Sequence, residues 1–352
     1  MSNIVTMTLP SKPQKKKNIG LMIAPLIMEI IGKKTDSIKI ITLNTLHTYE
    51  NVRKYKKIYN QQLMDLSIEF DELYEDFLHQ EELVKIIKDL ISSGKIVEKE
   101  KKIFKCECGK VEFIEDGKSF GNGKMYVKKG NELICNECQT TIKSNKETVL
   151  VIKYNKKNEQ VNVLPKFLSS EMDYFSNLFD GKDILVSKIR NTGVKISFNN
   201  HEYNLDIEQV WSQLHGITEK SQIMLASNHQ VYVMFILNYL NRIYMNKKQL
   251  FILTPYMNND TKFNDFDNKI NQLSSIKLKL FLFYSLKWNK KTCSWDYGLY
   301  KKIKKMDDKM ASRMYDFICA KVEGDNITAV MDALEQEVLK RNFDKDFAKI
   351  KK

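Results

Sequence analysis

Four of the six cysteines in this chain stand in two close pairs, Cys106 with Cys108 and Cys135 with Cys138, and no other feature restricts the local fold as tightly. Two tight pairs separated by a glycine-containing hairpin close a tetrahedral thiolate site around zinc. Such a closed set leaves no position for substrate, so the Zn2+ predicted here is structural. The first pair is separated by one residue where a zinc knuckle usually has two, which predicts an awkward approach for Cys106. Six cysteines in 352 residues are too few for a disulfide scaffold, and close pairing favours metal over oxidation. Residues 99–150 also hold five of the thirteen glycines (Gly109, Gly117, Gly121, Gly123, Gly130) among short strand-like runs, the texture of a small metal-stapled insert.

On either side of this insert the pattern is α/β. Ile4, Val5, Met7 and Leu9 suit a first strand, Pro10 to Lys17 a loop, and Ile19 to Ile31 an apolar helix ending at Gly32. Ile38 to Leu43 is a nearly continuous β-branched run fit for a buried parallel strand, and a charged helical stretch follows from Tyr49 to Leu66. Phe70 to Glu98 reads as helix, with Leu83, Ile86, Ile87, Leu90 and Ile91 on one face and a stop at Gly94. Alternating segments resume after Asn155, including 167–179, 184–189, 194–198, 207–214, 223–226, 231–243 and 250–253. From Leu278 helix dominates, with one stripe of Met310, Met314, Ile318 and Val322 and another of Ile327, Val330, Met331, Leu334, Val338 and Leu339. The predicted fold is a Rossmann-type doubly wound parallel sheet with a zinc-knuckle insert and a C-terminal helical segment. The expected units are 1–98 and 156–276 for the two halves of that sheet, 99–155 for the insert and 277–352 for the helices.

With 57 Lys and Arg against 44 Asp and Glu, the formal charge of +13 favours a polyanionic partner. The compositional bias of an AT-rich genome, which raises Lys, Asn and Ile together, accounts for such an excess as well, so charge alone does not establish RNA binding. Tyr232, Tyr239, Tyr244, Trp288 and Trp295 lie near basic residues and suit either base stacking or core packing, the commoner use. No run approaches the roughly 20 apolar residues of a membrane span. Gly20 to Ile31 lacks a signal-peptide cleavage pattern and is interrupted by Glu29, so a cytoplasmic location and no membrane partner are expected.

Several blocks then fall in a telling order. Leu66 to Tyr74 (LSIEFDELY), Leu78 to Leu83 (LHQEEL) and Leu90 to Glu100 (LISSGKIVEKE) precede the cysteine pairs. This block resembles methionyl-tRNA synthetases, in which an "LGIxFDxF" phrase leads to a helix ending in "LxxxGxIYxKE" and directly to a cysteine knuckle. Upstream, Pro10 to Met22 sits where class I synthetases carry a proline-led loop and the HIGH tetrapeptide. Asn18, Ile19, Gly20 and Leu21 resemble a degenerate HIGH with both histidines replaced. Downstream, Ile184 to Ile196 is similar to the "ISR…WGIxxP" phrase, with Lys188 and Thr192 at the Arg and Trp places. Tyr203 to Trp211 resembles "YVWxDA", and Met224 to Phe235 resembles "GKDxxxFHxxYWP". Leu253 to Phe263 falls at the KMSKS loop, of which Lys262 is the survivor.

What the resemblance implies is an aminoacyl-tRNA ligase of class I. Its substrates would be an amino acid, ATP with Mg2+, and tRNA. It places Pro10, Asn18, Gly20 and Lys262 at ATP, with Asn18 and Lys262 in the catalytic roles of HIGH and KMSKS. It places Asn44, His47, Trp211, Asn228 and His229 at the amino acid. Loss of the HIGH histidines and most of KMSKS removes donors to charge that develops on the phosphates, each typically worth roughly 3 to 4 kcal/mol of transition-state stabilisation. A catalytically inactive paralogue that binds tRNA, amino acid or a protein partner is therefore the second expectation. A nucleic-acid-binding zinc-ribbon protein with no strand-end crevice is the third. For His47 and His229 a site role and an ordinary capping role stay open. His79, His201 and His215 are expected to be unremarkable surface histidines. No full anticodon-binding bundle of the family's usual size is expected, so recognition of tRNA would be truncated or confined to the acceptor end; the sequence does not indicate an oligomeric state.

Overall fold

The computed structural model describes residues 2–9, 19–33, 37–43, 52–108, 111–114, 126–156, 161–188, 194–205, 221–246, 249–258, 266–322 and 327–351. The chain opens with β1 (Ser2–Leu9), a 3-10 turn at Ile19–Met22 and α1 (Ile23–Gly32). There follow β2 (Ser37–Leu43), α2 (Val52–Asp65), β3 (Glu72–Glu75) and α3 (Gln80–Ser92). The insert is built from β4 (Ile96–Lys105), β5 (Glu112–Ile114), β6 (Tyr126–Lys129), β7 (Glu132–Cys135) and β8 (Lys143–Lys153). Next come β9 (Asn162–Leu164), α4 (Ser169–Phe179), β10 (Asp183–Leu185), β11 (Ser187–Lys188), β12 (Val194–Phe198) and β13 (His201–Leu205). After them stand β14 (Ser221–Ser227), α5 (Val231–Met245), β15 (Leu250–Thr254) and β16 (Tyr256–Asn258). The C-terminal part holds α6 (Phe266–Ile270), α7 (Ser275–Ser285), β17 (Thr292–Ser294), α8 (Tyr297–Lys305), α9 (Asp308–Cys319), α10 (Ile327–Ala333), a π-helical turn (Leu334–Val338) and α11 (Phe343–Lys351).

Six strands make one sheet in the order β3-β2-β1-β14-β15-β9, and every neighbouring pair in it is parallel. Parallel strands connected by helices are covered on both faces, which is why their sequences run almost continuously apolar. The period of two divides them cleanly. Ile4, Ile41, Ile223, Leu225, Leu250 and Ile252 face one core with α1 and the C-terminal helices. Val5, Ile40, Met224, Ala226, Phe251 and Leu253 face the other with α3, α4 and α5. This is the predicted doubly wound sheet. The helical stripes of Met314, Ile318, Val322, Val330, Leu334 and Val338 are likewise buried.

One expectation is corrected. Phe70 to Glu98 is not one helix: residues 72–75 are the edge strand β3, a 3-10 turn covers Asp76–His79, and α3 begins only at Gln80. Glu72, Leu73, Tyr74 and Glu75 take strand geometry because β2 offers a parallel edge for their backbone, and four residues carry too little periodicity to declare it. Gly94 does end the helix. With φ +66 it supplies the left-handed step of a Schellman cap, in which Lys95 N–H reaches Leu90 O at 2.9 Å and Gly94 N–H reaches Ile91 O at 2.9 Å. The expected elements at 207–214 lie outside the described residues.

A second, four-stranded sheet, β10-β8-β4-β5, supports the insert. Asp183 of β10 is buried and receives Lys99 Nζ at 2.9 Å and Lys101 Nζ at 2.8 Å. Burial raises its pKa, but the two lysines together outweigh that and hold the carboxyl below its ordinary value of 3.8. At the other end of the chain, Glu29 of α1 is 1% exposed and receives Lys279 Nζ of α7 at 2.7 and 2.8 Å. Tyr315 of α9 donates its hydroxyl to Glu29 Oε1 at 2.6 Å, and Glu69 N–H reaches Oε2 at 3.2 Å. Lys279 also donates to Ser67 O at 2.7 Å. No described helix is long and apolar enough to cross a membrane.

Two stability predictions result. Lys279→Met leaves a buried carboxylate without its cation, and loses about 3–5 kcal/mol. Because the partner charge is then gone, Glu29→Leu with Lys279→Met together loses less than the sum of the single changes in urea denaturation; strict additivity would refute the pairing. A carboxyl with a depressed folded pKa contributes stability above its unfolded value that is lost as pH falls through the folded one. Acidification below 3.8 is therefore expected to destabilise the wild type more steeply than Asp183→Asn, measured by thermal melts across that range.

Candidate functional site

The strand order reverses between β1 and β14. In open α/β sheets ligands bind outside the carboxyl ends of the strands at such a reversal. Around that point stand the end of β1 at Leu9, the 3-10 turn with Gly20, and the turn Asn228–Gln230 that follows β14. α1 continues from the 3-10 turn Ile19–Met22 without a side-chain cap. Gly20 is half-buried in the turn that leads into it, and Leu21 packs on the core.

Asn228 is 7% exposed, and its Nδ2 donates to Lys291 O at 2.5 Å. The loop before β17 thus crosses the carboxyl end of β14, and it is held further by an ion pair of Lys291 with Glu171 of α4. Thr254, at the end of β15, donates its hydroxyl to Ala226 O at 3.2 Å. His229 lies in the turn, and its side chain is outside the described set. Pro10, Asn18, Asn44, His47, Trp211 and Lys262 also lie outside the described residues. Of the expected crevice residues, Gly20 and Asn228 are therefore the two whose surroundings are visible. A small cavity of about 240 Å³ beside Ile19 and Met22, closed by Gln62, Asp65 and Leu278, is below the roughly 300 Å³ at which ligand pockets begin.

The cysteines converge. Cys106 follows β4, Cys135 ends β7, and hydrogen bonds from Cys106 N–H to Val111 O and Cys135 N–H to Thr140 O, both 2.9 Å, turn each pair inward. The Sγ atoms of Cys106, Cys108, Cys135 and Cys138 all lie within 4.8 Å of one another. Neighbouring sulfurs are 3.0 Å apart for Cys106 and Cys138, 3.4 Å for Cys106 and Cys108, and 3.7 Å for Cys108 and Cys135. A tetrahedral site with Zn–S bonds of about 2.3 Å has edges of about 3.8 Å, so the four thiols fit zinc, and the one-residue spacing of the first pair does not prevent it. Hydrogen bonding with Cys106, then with Thr140, draws the Cys138 thiol down to about 6, toward the thiolate that a metal requires. Around the thiols the insert has a core of its own, with Val111, Phe113 and Ile142 and stacked rings of Phe104, Phe113 and Tyr126 at 5.1 and 5.2 Å.

Other predicted residues have structural partners. His201 Nδ1 lies 3.0 Å from Glu98 Oε1, and Glu98 also accepts from Tyr203 and Asn199. His79 stacks on Tyr74 with ring centroids 4.0 Å apart. The aromatic residues weighed for stacking are core: Tyr232, Tyr239, Trp288 and Trp295 are all below 10% exposed, and Tyr244 is half-buried and bonded to Asp89. The exposed ring beside basic residues is instead Tyr297, 42% exposed, with Lys269 and Lys301 Nζ 5.0 and 4.5 Å from its centroid. Sequence reasoning passed over it, although the run Tyr297 to Lys305 carries both features. It took Glu29 only as an interruption of an apolar run and passed over Lys279, one of two lysines in the otherwise apolar α7.

No protein-family profile and no curated protein sequence matches the chain. Solved structures of Mycobacterium tuberculosis methionyl-tRNA synthetase do share its fold. The structure bound by methionyl-adenylate aligns with a TM-score of 0.67 at 11% identity over 89% of this chain and 70% of that one. The free-state structure gives 0.64 at 11% identity over 85% and 65%. Another in complex with methionyl-adenylate gives 0.65 at 10% identity over 99% and 87%. The chain has a class I synthetase-like fold, and at this identity the likeness extends to the fold alone.

If the four thiols hold zinc, purified protein carries about one equivalent by elemental analysis, and Cys135→Ser loses it. Hydrogen exchange in that variant rises in β6, β7 and the cysteine turns while the parallel sheet stays protected. Full zinc content in Cys135→Ser would refute the assignment.

Proposed function

We propose that this chain is a divergent, cytoplasmic aminoacyl-tRNA ligase-like enzyme that activates an amino acid, or a related carboxylate, with ATP and transfers it to tRNA or another acceptor. The observation that carries the reading is the fold likeness to synthetases solved with methionyl-adenylate, together with this chain's parallel sheet and its order reversal at β1 and β14. In such a reaction a carboxylate oxygen attacks the α-phosphorus of ATP, the bond to the β-phosphate breaks, and pyrophosphate leaves with its electron pair. An acceptor hydroxyl then attacks the acyl carbon and AMP departs. Mg2+ would supply charge neutralisation on the phosphates.

In this reading Pro10, Asn18, Gly20 and Lys262 attend ATP. Gly20 permits close approach of the nucleotide, and Asn18 and Lys262 donate to its phosphates; Asn44, His47, Trp211, Asn228 and His229 surround the amino acid. Residues 1–98 and 156–276 form the catalytic unit, 99–155 the insert stapled by structural zinc, and 277–352 the helical segment. The acceptor RNA would lie along α6 and α8. Residues 269–309 hold eleven lysines against three aspartates, a net +8; Lys301, Lys304, Lys305 and Lys309 are exposed, and Lys301 stands over the exposed Tyr297 ring.

A second reading, an inactive paralogue that binds tRNA, amino acid or a protein partner, is favoured by two observations. Leu21 stands at a HIGH histidine position and packs on the core, and the Asn228 amide donates to Lys291 O. Leucine has no donor to offer in place of the histidine, and one of the two Asn228 amide hydrogens is already committed to the loop.

Amino-acid-dependent exchange of pyrophosphate into ATP, run over twenty amino acids with zinc-replete protein, separates the two. Exchange with one amino acid that falls about 100-fold or more in Lys262→Ala supports the enzyme. No exchange above the Lys262→Ala background refutes amino-acid activation and leaves the binding reading.

A further inference from the structure

We propose that the exposed face of α8 takes an unpaired nucleotide of RNA, with Tyr297 as the platform on which its base stacks and the lysines beside and after it as phosphate contacts. The site rests on the proposed placement of acceptor RNA along α6 and α8, and narrows the partner to the single-stranded part of that RNA.

The helical period of α8 builds this face. Leu299, Tyr300 and Ile303 are buried against the core, and the same period leaves Tyr297, Lys301, Lys304 and Lys305 outside. Tyr297, Lys301 and Lys305 follow one another at four-residue steps, so they form one row with about 6 Å of rise between successive members. Asp296 fixes where the row begins. By accepting from Gly298 N–H at 2.8 Å and Leu299 N–H at 3.1 Å it caps the helix, which makes Tyr297 its first residue. Lys309, in the first turn of α9, adds a further exposed ammonium.

Charge and aromatic surface together select the ligand. Among the described residues none of Lys301, Lys304, Lys305 and Lys309 is in an ion pair; Lys304 donates to the neutral Gln272 amide at 2.5 Å and keeps its charge. Of the acids close by in sequence or contact, Asp344 is neutralised by Lys302 at 2.7 Å and Asp308 by Lys277 at 3.0 Å. Asp296 and Asp307 cap α8 and α9. Setting even those two caps against the four lysines leaves a positive surplus, which favours a polyanion. Lysines alone would serve duplex and single strand alike. The ring makes the difference. Tyr297 is 42% exposed even with Lys269 and Lys301 Nζ 5.0 and 4.5 Å from its centroid and Tyr300 stacked at 5.8 Å. In a duplex the faces of the bases are closed by their neighbours, so exposed aromatic surface adds affinity only for a base that is unpaired. Ammonium groups held at the edge of the same ring put phosphate contacts next to the stacked base, so one nucleotide meets both.

The probe is a short, unstructured, labelled ribo-oligonucleotide, titrated with the full chain by fluorescence anisotropy, both free and annealed to its complement without overhangs. The single strand should bind, and Tyr297→Ala should weaken it at least about fivefold while leaving blunt-duplex affinity unaltered. Tyr297→Trp should keep the single-strand affinity, since the larger ring stacks as well. Lys301→Ala with Lys305→Ala should weaken both forms and lower the slope of log affinity against log salt for the single strand by about 1.4. All three positions are exposed, so thermal melts should match the wild type. Absence of saturable single-strand binding, or a loss in Tyr297→Ala that is nil or equal for strand and duplex, overturns the site. The titration contains neither ATP nor amino acid. Failure of pyrophosphate exchange therefore leaves this site standing, and failure of RNA binding leaves amino-acid activation standing.

Discussion

The contact between Glu29 and Lys279 organises the molecule. These two residues lie 250 positions apart and meet at 2.7 and 2.8 Å inside an apolar core. Removing two charges from water carries a large penalty, which their attraction offsets only when geometry is good and the remaining polar atoms are satisfied. Here they are. Tyr315, Glu69 N–H and Ser67 O complete the shell, and burial together with the Glu29 carboxylate pushes the Tyr315 phenol far above its ordinary value, so that it stays a donor. An apolar pair in the same place would tolerate many sliding arrangements of α1, α7 and α9. A hydrogen-bonded charge pair tolerates few.

That restriction reaches the strand-end crevice by a short path. α7 runs into the loop 286–291, which leads to β17, and β17 pairs with β16 just beyond β15. Lys291 in this loop holds Asn228 and Glu171. Fixing α7 on α1 therefore fixes how the loop crosses the end of β14, and with it the space left outside β1 and β14. The contacts that hold this loop thus start at Glu29 and Lys279 and end at Lys291.

The legible parts of the fold were those written in local pattern. β1, β2, β14 and β15 alternate between two cores as their β-branched runs implied, Gly94 closes α3, and four cysteines meet. What escaped was decided by neighbours distant in sequence. Glu72 to Glu75 become a strand because β2 has a free edge. Tyr232, Tyr239, Trp288 and Trp295 look like stacking platforms beside lysines until packing buries them, whereas Tyr297 is left in solvent by the Asp296 cap that starts α8 there. The embedded charges Glu29 and Lys279 look like interruptions of apolar helices, and only their meeting gives them meaning. Asn228 was expected at a strand end and stands just after β14, but its bond to Lys291 depends on a loop sixty residues away.

The distribution of charge bears on whether lysine content is a habit of composition or a property of the surface. A bias toward lysine codons acts along the whole chain and would spread the surplus over all exposed segments. Here +8 of the net +13 falls within residues 269–309, leaving +5 for everything else. Within that segment Lys279 is buried against Glu29, Lys302 is paired with Asp344 and Lys277 with Asp308, while Lys301, Lys305 and Lys309 stand on exposed positions of α8 and the first turn of α9. Like charges left exposed in one stretch repel one another. A polyanion would relieve that repulsion and release counterions, which is how the proposed acceptor RNA would account for a clustering that compositional drift alone does not.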